Sequence, residues 1–275
     1  MSLSLSPLWL KLSLMPLLLL LVAWTSRRYG PHVAGLVTGL PVISGPVSVF
    51  CAMSSGASFA SHAAPGALAG LAGVGAFCGA YGWASHHVSW PRALACGLGG
   101  FLAVSVIVQH LSQTLGVLSL AAWGALVAVR LVLGRAAPGD RCASAEVVDH
   151  DVVRASENWE LPARIVLATG LVVGLTAVSE RLGARWSGIC STVPVLSAIV
   201  AVFTHARDDA RAVRVFLTGV AGASLGTVGF FVVVGGHLAA GALVSTYALA
   251  LGATLVIHAL SAKLVVPRGS RRASG

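Results

Sequence analysis

The chain is a succession of apolar runs, near residues 7–26, 32–52, 63–84, 91–110, 114–133, 162–180, 186–205, 212–235 and 239–262. Each approaches the ~20 residues that carry a helix across a bilayer. Lipid offers the backbone no hydrogen-bond partner, so a spanning chain must be a helix or a closed barrel. Barrel strands alternate apolar and polar residues, and these runs do not. The pattern therefore predicts an all-α polytopic membrane bundle of nine transmembrane helices. Only 10% of the residues are charged, against roughly 25% in a soluble domain. The 32 glycines suit helices that pack closely in lipid.

The net charge of +9 does not point to nucleic acid, because the basic residues flank the apolar runs. With nine spans crossing alternately, one side receives 15 of the 18 Lys and Arg residues, and Lys11, Arg181 and Arg185 fall on the other. Basic residues remain cytoplasmic. The expected location is a bacterial inner membrane, multi-pass, with the N-terminus outside and the C-terminus cytoplasmic. Arg27 and Arg28 follow the first run instead of preceding it, which reverses the charge order of a signal peptide, so that run is read as a retained helix. The five cysteines show no metal spacing, and the four inside apolar runs read as small packing residues. Residues 134–161 hold nine of the 27 charged side chains and read as a cytoplasmic linker, with Trp159 as an interfacial anchor. Within it Asp149-His150-Asp151 reads as solvated loop.

An internal repeat lies under this pattern. Residues 28–50 align without gaps on 181–203, and nine of 23 positions are identical, among them Arg28/Arg181, Gly30/Gly183, Gly35/Gly188, Pro41/Pro194 and Ser44/Ser197. The same offset pairs Gly66/Gly219, Gly73/Gly226 and Phe77/Phe230. The predicted organisation is a four-helix repeat at 1–113, a linking helix at 114–133, the linker at 134–161, a second four-helix repeat at 162–265 and a disordered tail at 266–275. One helix between the repeats turns the second over, so they are predicted to be inverted. Secondary transporters use this plan, with a midplane site at interrupted helices.

Pro41 and Pro194 are the predicted interruptions. Each removes a backbone donor and frees the carbonyl four residues earlier, here Val37 and Cys190. Gly35, Thr38, Pro41 and Ser44 in the first repeat, with Gly188, Ser191, Thr192, Pro194 and Ser197 in the second, are the candidate substrate-binding residues. Two readings stand for the hydroxyls: they line a polar path, or they bond back to their own helix. Glu180, Arg181 and Arg185 mark the outer boundary, as a local ion pair or an anion contact. His62, His110, His237 and His258 sit at or near span ends and read as interfacial. Gly66-xxx-Gly70, Gly75-xxx-Gly79, Gly170-xxx-Gly174 and Gly222-xxx-Gly226 read as helix-packing motifs.

Tyr29, Ala34-Gly35-Leu36 and Pro41 together resemble the GlpM-type small bacterial inner-membrane proteins, which are single units of roughly four helices. The resemblance implies two such units fused through a linking helix. The second copy has Ser187-Gly188-Ile189 in place of Ala-Gly-Leu and keeps Pro194. A looser likeness, of plan only, is to the drug/metabolite transporter superfamily.

No Asp or Glu lies in the middle of a run, which disfavours proton-coupled cation exchange. No nucleophile triad, zinc-binding HExxH or phosphate-binding loop is present, so no enzyme activity and no cofactor or metal is expected. The sequence favours a permease for a small neutral or weakly anionic solute. The alternative is a non-transporting accessory protein of envelope or polysaccharide assembly. The expected partners are the lipid bilayer and such a solute, with a homo-oligomer or an envelope protein as further candidates and no nucleic acid.

Overall fold

A computed structural model describes residues 41, 44–111, 114–134, 183–207 and 210–263. These form eight helices: α1 Ser44–Ser55, α2 Ala57–Ala84, α3 Trp90–Leu111, α4 Leu115–Gly134, α5 Ala184–Ser191, α6 Val195–Arg207, α7 Ala210–His237 and α8 Leu243–Lys263. No strand occurs among the described residues. Six stretches are long and apolar enough to cross a membrane, α5 and α6 counting as one. Such a set fits a multi-pass membrane protein. The expected spans at 7–26 and 162–180, most of the span at 32–52, the linker from 135 onward and the tail lie outside the described residues.

The six observed spans begin and end close to the apolar runs. The largest departure is α2, which starts at Ala57 instead of 63 and passes through Pro65. Proline at 65 leaves the Ser61 carbonyl without its usual donor. The neighbouring α7 steadies this turn, because Ser61 Oγ donates to the Gly235 carbonyl at 3.0 Å. Gly56, at φ 94°, makes the one-residue joint between α1 and α2, a conformation that costs glycine little.

Helices α2 and α7 form the centre. Each has 28 residues, about 42 Å of helix at 1.5 Å per residue, and both are buried over most of their length. They run antiparallel: Gly82 lies against Leu217 near one end, and Gly235 against Ala64 near the other. Helix α4 lies across both. Gly75, Gly79 and Gly82 of α2 meet Ala125, Val129 and Leu133, while Gly235 of α7 meets Leu115 and Trp123 Nε1 donates to the Leu225 carbonyl at 3.1 Å. Helices α3 and α8 flank the pair on α2 and α7 respectively.

Lipid tails are as apolar as leucine, so tight packing through small residues must hold such helices together. Three of the expected glycine motifs do this in different places. Gly66 and Gly70 face α5, Gly75 and Gly79 face α4, and Gly222 and Gly226 face α4 and α8. Exposed Trp83 and Trp90 at one end of the bundle, with Trp186 at the other, suit the aromatic belts of a membrane interface.

The contacts recur at a fixed interval. Helices α2 and α7 start 153 residues apart, and so do α3 and α8. Shifting the Gly82/Leu217 contact by that interval gives Gly235/Ala64, the other contact of the same helix pair. A Cβ on Gly73 would lie 2.6 Å from the Phe101 carbonyl, and one on Gly226 would lie 2.8 Å from the Thr254 carbonyl, again 153 residues on. Gly82 meets Leu133 and Gly235 meets Leu115, so α4 is used symmetrically about Gly124.

Candidate functional site

The span from Ala184 to Ala206 is interrupted at Thr192, Val193 and Pro194, as the proline predicts. Pro194 cannot donate to Cys190, and the Cys190 carbonyl accepts the Val193 amide instead, at 3.3 Å. The Val195 amide turns to the Val193 carbonyl at 2.7 Å, and α6 then starts with Ala198 N–H bonded to the Pro194 carbonyl at 2.7 Å. In the first half the Gly45 amide donates to the Pro41 carbonyl at 2.9 Å. Pro41 therefore holds the place before α1 that Pro194 holds before α6.

The break is set by α2. Thr192 packs on Gly70, close in sequence to Gly73, which lies against α3 and midway between the two contacts of α2 with α7. Gly66 admits the Arg185 carbonyl, and Gly188 admits the Ala63 carbonyl and the Ala67 amide. Cα–H···O contacts at such crossings contribute about 0.5–1 kcal/mol each.

The candidate hydroxyls divide. Ser191 Oγ donates to the Gly188 carbonyl at 2.7 Å, and Thr192 Oγ1 to the Ile189 carbonyl at 2.9 Å. Both close the last turn of their own helix, which satisfies carbonyls that a helix end leaves open. Ser44 and Ser197 are buried, as are Gly188, Pro41 and Pro194. Arg185 is exposed beside the start of α5. Gly35, Thr38, Glu180 and Arg181 lie outside the described residues.

Two tyrosines tie α1 and α6 to the rest of the bundle. Tyr247 Oη and Ser48 Oγ share a buried hydrogen bond of 2.9 Å, and Phe230 lies beside Tyr247 with ring centres 6.0 Å apart. At the opposite end Tyr81 Oη meets His205 Nδ1 at 3.4 Å, with Phe77 at 5.7 Å from the Tyr81 ring. Phe77 and Phe230 are a matched pair of the repeat. Tyr247→Phe should lower stability by about 1 kcal/mol, the usual worth of such a bond. Ser48→Ala combined with Tyr247→Phe should cost little more than Tyr247→Phe alone. Thermal unfolding of the single and double variants checks this.

Sequence reasoning passed over Arg130, which it counted with the loop charges. Helix side chains lean toward the N-terminal turn, so Arg130 reaches back into the bundle. Its guanidinium lies on Gly222, 3.2 Å from where a Cβ would stand, and Nη2 donates to the Ser261 carbonyl at 3.1 Å. His258, one turn before Ser261, has a buried Nδ1 without a hydrogen-bond partner among the described residues. Ser105 Oγ and Gln109 Oε1 on α3 are likewise buried and unpartnered. An arginine inside a transmembrane helix is costly, up to about 2.5–3.5 kcal/mol at the helix centre on insertion scales, and such residues commonly mark function. The signal was present in the sequence as a cation within an apolar run.

Fold and site together define a class: a helical, multi-pass membrane protein with a broken span packed at the middle of its bundle. Comparison with protein-family models, with curated proteins and with solved structures returns no match.

Proposed function

We propose that the protein is a secondary-transporter-like permease of the bacterial inner membrane, built from two inverted four-helix repeats about a linking helix. The observation that carries the reading is the break at Thr192–Pro194, held against Gly70 near the middle of α2. Interrupted helices at midplane form the substrate sites of many transporters, and two pseudo-equivalent halves open the site to each side in turn.

The recurring contacts support the inversion. Related surfaces that meet across a two-fold axis exchange partners, so that residue i touches j while the equivalents of j and i touch in turn. Gly82/Leu217 with Ala64/Gly235 follow that rule, and the axis passes near Gly124. With α2 and α7 antiparallel, the axis in this reading lies in the membrane plane. The charge distribution then sets the N-terminus outside, the Ala84 end of α2 in the cytoplasm and the Ala57 end outside. The substrate class in this reading is a small neutral or weakly anionic solute, a reading that the absence of Asp and Glu among the described residues supports.

Flux of a broad panel of small sugars, polyols, carboxylates and phosphate into liposomes carrying the purified protein tests the reading. Movement of one class well above protein-free liposomes supports it. Absence of flux across the panel, with a stable co-purifying envelope protein, favours the accessory role instead.

A further inference from the structure

We infer that Arg130, His258 and Gly222 form an anion-binding site inside the bundle, which takes a carboxylate or phosphate group. Gly222 stands one helical turn from Gly226, about 6 Å along the axis, so the guanidinium lies well within the span and not at its end. Among the described residues its one hydrogen bond is to the Ser261 carbonyl, and a guanidinium has five donors. The described residues contain no carboxylate to face it, all nine acidic side chains falling elsewhere in the chain. His258 stands one turn before Ser261 on the same helix, and its buried Nδ1 has no hydrogen-bond partner among the described residues. Ser261 Oγ is already used, donating to the His258 carbonyl at 2.9 Å.

A structural role alone does not call for this arrangement. The pseudo-symmetry that pairs Gly222 with residue 69 and reflects α4 about Gly124 puts Ala69 and Leu118 at the equivalent positions. Leu118 is fully buried, so an apolar side chain suffices for packing there. The glycine at 222 leaves the flat guanidinium room to lie on the helix backbone, with remaining donors directed to a ligand that accepts two parallel N–H bonds. Two sources supply such a group: a soluble anion that the permease carries, or the headgroup of an anionic lipid. The inference rests on the permease reading for the identity of the occupant, and not for whether an anion binds.

Thermal unfolding of the purified full-length protein in neutral detergent tests it. Acetate, succinate or inorganic phosphate replaces chloride at constant ionic strength in one arm. Phosphatidylglycerol or phosphatidylcholine is added in the other. The expected result is an upward shift of the midpoint with one soluble anion or with phosphatidylglycerol, lost in Arg130→Gln and weakened by about ten-fold in apparent affinity in Arg130→Lys, which keeps the charge but not the fork. A response to the soluble anion names the solute. A response to phosphatidylglycerol alone names the headgroup and leaves the permease reading to the flux measurement. If Arg130→Gln does not fold, Gly222→Leu removes the seat while keeping the cation, and the shift should again disappear. No shift in the wild type, or an equal shift in these variants, overturns the inference.

Discussion

Gly188→Leu is expected to leave almost no folded protein in the membrane. A Cβ at this position would overlap the Ala63 carbonyl, lie 2.6 Å from the Ala67 amide nitrogen and 3.0 Å from the Gly66 carbonyl carbon. All three are backbone atoms of α2, so no side chain can turn aside. Overpacking that side chains absorb costs about 1–3 kcal/mol. Here two helix axes must separate instead. That would pull Arg185 off Gly66 and Thr192 off Gly70, and so undo the contact that positions the break. A loss above about 3 kcal/mol is expected, a large part of the 5–15 kcal/mol that stabilises an ordinary domain. Gly124→Leu is the control, because no described residue lies within 4 Å of a Cβ there, and it should behave like wild type. Yield of monodisperse protein on size-exclusion chromatography, followed by thermal unfolding, separates the two outcomes.

Pro41→Ala combined with Pro194→Ala is expected to give a folded protein with an equal or higher unfolding midpoint and at least about ten-fold less flux of whichever solute the wild type moves. Proline inside a helix costs about 3 kcal/mol relative to alanine. Alanine at 194 gives the Cys190 carbonyl its regular helical donor in place of the Val193 amide, and α5 can then run on into α6 as one straight helix. Straightening draws Val195–Arg207 away from α7 and α3, its neighbours in the bundle, and closes the gap in the backbone near midplane. Stability and flux therefore move in opposite directions, which a simple packing defect would not produce. Unchanged flux in a variant whose two spans have become continuous would leave the breaks without a transport role.

Much of the fold was legible because lipid makes backbone rules strict. The run at 114–133 became Leu115–Gly134, and the run at 212–235 became the core of Ala210–His237. Pro194 announced a break that water would have made optional. The early start of α2 was hidden because Ser58, Ser61 and His62 interrupt the apolar run ahead of residue 63, whereas contact with α7 holds that segment helical.

The site was legible in part. The break at Pro194 stood where the proline predicted it, and the use of each hydroxyl did not follow from the sequence. Ser191 and Thr192 had two choices, and the nearby carbonyls of their own helix won. Arg130 was misplaced because its partners are distant: Gly222 and Ser261 lie on other helices, and the lean of a helix side chain decides which side of a boundary its charge occupies. The Ser48–Tyr247 bond spans 199 residues, and no local pattern marks it.

The most direct measurement is the labelling of single cysteines placed at Thr38 and Ser191, equivalent positions of the two repeats, after the native cysteines have been replaced. A thiol reagent that cannot cross the membrane is applied from one side and then the other. Inverted repeats around a wet midplane require labelling of both positions from opposite sides, Ser191 from outside and Thr38 from the cytoplasm. Labelling of both from the same side would contradict the inversion, and protection of both from either side would contradict a solvent-filled path at the breaks.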